Sequence, residues 1–70
     1  MTTYILVADV NRVDRRDLER IENQVFYSKD DIRKEVDGLY LYRLTDFMED
    51  VNDEILQDFS DKWIGYAHVK

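Results

Sequence analysis

Residues 3–10, TYILVADV, are rich in β-branched and apolar side chains, and the chain turns polar at Asn11. Five to eight residues rich in β-branched and apolar side chains, ended by a turn former, read as a buried β-strand. If the chain opens on a buried strand, the amphipathic segments that follow must cover it, which makes a sheet with helices packed against it the economical solution. Working outward, residues 24–27, QVFY, read as a short strand, and Ser28 can cap a helix running through Val36 with Asp30 and Asp31 in its first turn. Asp37-Gly38 stops that helix, since glycine readily takes the left-handed conformation found just past a helix end. Residues 39–44, LYLYRL, alternate aliphatic and aromatic side chains as a strand does, and residues 63–70, WIGYAHVK, have strand composition.

Two segments need separate treatment. Residues 11–24, NRVDRRDLERIENQ, place Leu18 and Ile21 at helical spacing with Val25 beyond, yet their charge density suits an excursion between strands equally well, and helix and loop both stay open. From Thr45, a capping residue, Phe47, Val51, Ile55 and Phe59 recur every four positions, and Met48 and Leu56 widen the stripe. That period predicts an amphipathic helix. The whole predicts one compact α+β domain over residues 1–70, with a mostly antiparallel sheet of about four strands and two helices packed on one face.

Composition narrows the function classes. The chain has 70 residues, 44% of them hydrophobic, with five tyrosines, three phenylalanines and one tryptophan, enough apolar area for a small core. Without cysteine it has no disulfide, thiolate metal site or cysteine nucleophile. The only apolar run near the start is too short for a membrane span and lacks the basic flank of a signal peptide, so a cytoplasmic location and no membrane association are expected. The formal charge of −6 is unevenly spread: residues 1–35 hold seven Lys/Arg against eight Asp/Glu, or −1, and residues 36–70 three against eight, or −5. An acidic surface repels nucleic acid and anionic lipid and steers basic proteins toward itself.

That charge concentrates in one row. Asp46, Glu49, Asp50, Asp53, Glu54, Asp58 and Asp61 lie between Thr45 and Lys62 with no base among them. On a helix they set one negative charge about every 3 to 4 Å of axis, close to the roughly 3.4 Å between phosphates on one DNA strand. An acidic solvated face is the plain alternative. Against it, Asp46/Asp50 and Asp50/Glu54 are like-charge i,i+4 pairs, each costing an isolated helix about 0.2 to 0.5 kcal/mol. A basic partner would offset that cost, so the row is the candidate partner-binding site.

Other chemistries find less support in the residues. Asp50, Asn52 and Glu54 hold the first, third and fifth places of a twelve-residue frame ending at Asp61, as in a calcium loop, but the sixth place holds Ile55 where the loop turn needs glycine. His68 is the one histidine, with no identifiable nucleophile or orienting acid. No phosphate-cradling, nucleophile-elbow or zinc pattern occurs, so neither catalysis nor a cofactor or metal is expected. Arg12, Arg15, Arg16 and Arg20 alternate with Asp14, Asp17, Glu19 and Glu22, a poor nucleic-acid footprint. Tyr27, Tyr40, Tyr42, Trp63 and Tyr66 belong chiefly to the core, although two of them exposed beside the acid row would make a docking patch.

A compact α+β unit without cysteine or proline, with an acidic LTDFMEDVNDE segment and a terminal WIGYAHVK strand, resembles in overall style the small accessory proteins that bacteriophages make early in infection. That resemblance implies a non-enzymatic inhibitor of a host or defence protein, in some cases a DNA mimic, although strong DNA mimics are more acidic for their size. It assigns no residue a role. The expected partner is a larger protein with a basic surface, bound without direct nucleic-acid contact by a monomer or a homodimer. The alternative is an assembly module that pairs an exposed strand or dimerises through aromatic surface.

Overall fold

A computed structural model describes residues 1–47 and 59–70. The elements run β1 (Thr2–Asp9), α1 (Arg15–Ile21), β2 (Val25–Phe26), α2 (Lys29–Glu35), β3 (Tyr40–Arg43), a 3-10 turn (Phe59–Asp61) and β4 (Lys62–Val69). The four strands form one sheet in the order β2-β4-β1-β3. β1 pairs antiparallel with both β3 and β4, and β2 runs parallel to β4. This is the α+β domain expected, with a mixed sheet.

Register sorts each strand into two faces, because side chains alternate along a strand. Opposite Leu6 stand Leu41 on β3 and Gly65 on β4, and Ala8 stands opposite Trp63. On this face Leu6, Ala8 and Ala67 join Leu18 and Ile21 of α1 and Ile32 of α2 in one core, with Val13 and Val36 closing its end. All eight are buried. Both helices therefore lie on the same face of the sheet. Ile5 and Val7 point the other way and are also buried, at 2% and 0% exposure. The central strand is thus apolar on both sides, which is why residues 3–10 read as a run rather than an alternation.

Within segment 11–24 only Arg15–Ile21 is helix, and the residues on either side of it are turns. Asp14 is its N-cap, its carboxylate accepting from the Arg16 N–H at 2.8 Å, and Leu18 and Ile21 form the buried side. Val25 does not continue that stripe, because the chain leaves the helix at Glu22, turns through Asn23 at φ 63°, and enters β2 with Val25 exposed. Asparagine is among the few side chains that tolerate this left-handed conformation. The Asn23 N–H then donates to the Tyr66 carbonyl at 2.7 Å, which starts the parallel ladder. Ser28 caps α2 as its position promised, accepting from the Asp31 N–H at 3.3 Å. The helix expected from Thr45 onward lies outside the described residues from position 48 to 58.

Gly38 follows α2 at φ +88°, and a methyl built there would stand 3.4 Å from Val13 Cγ2. The contact is tolerable, but the backbone angle penalises any side chain. Gly38→Ala is expected to lower unfolding free energy by about 1 kcal/mol in a urea titration, leaving the fold intact.

Candidate docking surface

The acid row enters and leaves the described structure at its two ends. Asp46 sits in the turn after β3, where its carboxylate accepts from Arg43 Nε at 2.9 Å and Nη2 at 3.1 Å, and its own N–H donates to the Arg43 carbonyl at 2.9 Å. Asp46 therefore closes a turn, and its charge is met locally. Asp61 ends the 3-10 turn in an exposed position, and its carbonyl accepts from the Val10 N–H at 3.0 Å, fastening the turn to the end of β1. Its carboxylate makes no ion pair among the described residues. Glu49, Asp50, Asp53, Glu54 and Asp58 lie outside the described residues, as does most of the twelve-residue frame weighed as a calcium loop.

The bases of residues 36–70 are engaged away from the row's far end. Arg43 holds Asp46. Lys62, next to Asp61 in the chain, turns instead to Asp9 of β1 at 3.8 Å. Lys70 lies over the Tyr27 ring, 4.7 Å from its centroid. In the other half, Arg12 pairs with Asp9, Arg15 with Glu19, and Arg20 with both Asp17 and Glu35. Arg20 also donates to the Glu35 carbonyl at 3.2 Å, tying α1 to the end of α2. The hydrogen bond to Glu35 holds the Arg20 guanidinium above its ordinary pKa. Three of the four interleaved arginines, Arg12, Arg15 and Arg20, thus serve internal pairs.

Asp9, Arg12, Asp37, Tyr40 and Lys62 line a cleft of about 530 Å³ at the end of the sheet. Asp9 organises it. Its carboxylate accepts from the Asn11 N–H at 2.9 Å, which with Lys62 and Arg12 holds the group below the usual carboxylate range against the opposing effect of burial. The folded state consequently draws stability from the ionised form above the ordinary aspartate pKa and loses it as pH falls through the lowered value. Tyr40, 58% exposed, lines this cleft together with Lys62, the residue that follows Asp61 in the chain. Tyr27 and Tyr66 are exposed as well, at 78% and 44%. Tyr42 and Trp63 are half-buried, and the Trp63 indole lies over Gly65 on the helix side of the sheet.

His68 stands on the face opposite the helices, its Nδ1 3.1 Å from the Thr3 hydroxyl. No group of three metal-ligating side chains occurs among the described residues, and no helix among them is long and apolar enough to cross a membrane. No family model, curated protein or solved structure matches the chain.

Proposed function

We propose that the protein is a non-enzymatic binding module that modulates, and in the manner of the phage proteins it resembles inhibits, a larger host or defence protein by laying its acidic row on a basic, nucleic-acid-binding surface. One observation carries this reading: seven acids precede Lys62 without a base among them, and although Arg43 meets Asp46 at the start of the row, Asp61 at its end makes no ion pair among the described residues while Lys62 and Lys70 turn to Asp9 and the Tyr27 ring. Charge left uncompensated costs stability through self-repulsion and is recovered when a basic surface approaches. The exposed Tyr40, in the cleft that Lys62 also lines, adds the kind of aromatic anchor that binding surfaces favour.

The test begins with a tagged chain used to capture its partner from its native or host cell, identified by mass spectrometry. Binding of that partner is expected to weaken steeply between low and high salt, because exposed charges are screened beyond a Debye length of about 8 to 10 Å at physiological ionic strength. A variant with Asp50, Asp53 and Glu54 replaced by lysine, which brings the formal charge from −6 to zero, is expected to bind about 100-fold more weakly. Undiminished affinity in that variant, with circular dichroism showing the fold intact, removes the acid row from the mechanism.

A further inference from the structure

The turn from α2 into β3 passes through Asp37-Gly38, the one place in the sequence where an aspartate or asparagine precedes glycine. The last helical hydrogen bond of α2 runs from the Val36 N–H to the Ile32 carbonyl at 3.3 Å, and strand pairing resumes at Tyr40 opposite Val7. Between those points Asp37 and Gly38 are both exposed. Among the described residues the Gly38 N–H donates no hydrogen bond, and the Asp37 carboxylate makes neither a hydrogen bond nor an ion pair.

Other described aspartates are placed differently. Asp9, Asp17, Asp30, Asp31 and Asp46 each meet a base, and Asp14 caps α1. Each of them is followed by a residue whose Cβ crowds the next backbone nitrogen, and glycine carries no Cβ.

An unengaged backbone nitrogen one residue on from an unengaged carboxyl is the arrangement that closes a succinimide. The Gly38 nitrogen attacks Asp37 Cγ in the acid form of the carboxyl. The N–Cγ bond forms, the Cγ–OH bond breaks, and the hydroxyl leaves with the amide proton as water. Water then opens the ring at one of its two carbonyls. Opening at Cγ restores aspartate, whereas opening at the Asp37 α-carbonyl leaves the main chain running through Cγ with the former α-carboxyl as side chain. One water is lost and one regained, so the conversion needs no oxidant, cofactor or enzyme.

We infer that Asp37-Gly38 is a site of spontaneous isoaspartate formation in the folded protein, and that the product loosens the connection from α2 to β3. The rearranged chain is longer by one methylene between Val36, which closes the end of the core at 4% exposure, and Tyr40, which is held in register opposite Val7. One of the two must shift. The relocated carboxylate also reshapes the cleft that Asp37 lines with Lys62 and Tyr40. The acid row plays no part in it.

The purified chain, incubated for days at physiological temperature and neutral pH, is digested and mapped by electron-transfer fragmentation, which separates isoaspartate from aspartate of the same mass. Isoaspartate is expected at position 37 before any other position, accumulating with time. Asp37→Glu keeps the charge at an exposed site but would need a larger ring, so it should lose the signal there entirely while circular dichroism stays as in the parent. Urea added below the unfolding transition should leave the rate unchanged, because reaction from the native turn requires no opening. The isoaspartyl fraction, separated by chromatography, should unfold at a lower urea concentration than the parent. Absence of isoaspartate at position 37 under conditions in which a peptide of residues 33–42 forms it overturns the inference, as does its earlier appearance at another aspartate. A rate that climbs with urea below the transition shows the native turn to be protected and overturns it too. An isoaspartyl fraction as stable as the parent overturns the loosening of the α2 to β3 connection.

Discussion

Leu6→Ala is expected to cost about 2 to 5 kcal/mol of unfolding free energy, a large share of the roughly 3 to 10 kcal/mol that a domain of this length has to lose. Leu6 is fully buried on the middle of β1, where it meets Leu18 and Ile21 of α1, Ile32 of α2 and Ala67 of β4 in one core. Truncation removes apolar contact from all of these at once, and the alanines at positions 8 and 67 offer no larger side chain to fill the gap. Urea titration of the variant should show the midpoint falling until a measurable fraction is unfolded without denaturant. Leu44→Ala is the control: Leu44 is 49% exposed, and its truncation should change stability by no more than about 0.5 kcal/mol.

Gly65→Ala should destabilise by about 1 to 3 kcal/mol, although alanine is the smallest change available. Gly65 is opposite Leu6 on β4, and a methyl built on it would stand 2.5 Å from Trp63 Cζ2. No rotation of the methyl relieves that approach, so the indole must leave its seat over the strand. The displaced ring should report itself as a red-shifted tryptophan emission in the folded state, readable because the chain has a single tryptophan. In a Trp63→Leu background the same alanine should cost appreciably less, and the difference measures the coupling between the two residues. Equal costs in both backgrounds would show that the indole is not what Gly65 makes room for.

The elements legible in the sequence were those with a local cause. β1 announced itself by its apolar side chains and α2 by Ser28 in front and Gly38 behind, and these causes reappear in the structure as burial, a cap and a positive φ, whereas the alternation of β3 does not reappear in its burial. Segment 11–24 was ambiguous because its helix is short, and only Leu18 and Ile21 of its residues are buried within it. Its start was readable in hindsight from Asp14, an N-cap with Asp17 three residues on. Strand order was not legible at all. β2 has two residues, too few to show a period, and its parallel place beside β4 depends on Asn23 and Gln24 meeting Tyr66 and His68, residues distant in the chain. For the docking surface, the sequence showed the row of acids but not that Asp46 is claimed by Arg43, nor that Lys62 turns to Asp9. Those pairings come from a turn and a strand register, which composition does not encode.

The position of β4 between β1 and β2 has a consequence for how the chain comes into being. β4 is the last of the strands in sequence, yet it is the one that joins the two halves of the sheet, pairing with β1 along all eight of its residues. Synthesis proceeds from the N-terminus, at about 5 to 20 residues per second, so β1 and both helices are made before their central neighbour exists. Until residues 62–69 emerge, one flank of β1 is open and β2 has no sheet to join. Completion of the sheet therefore waits on residues 62–69, and a nascent chain cut short before Lys62 carries a β1 whose β4 flank is unpaired.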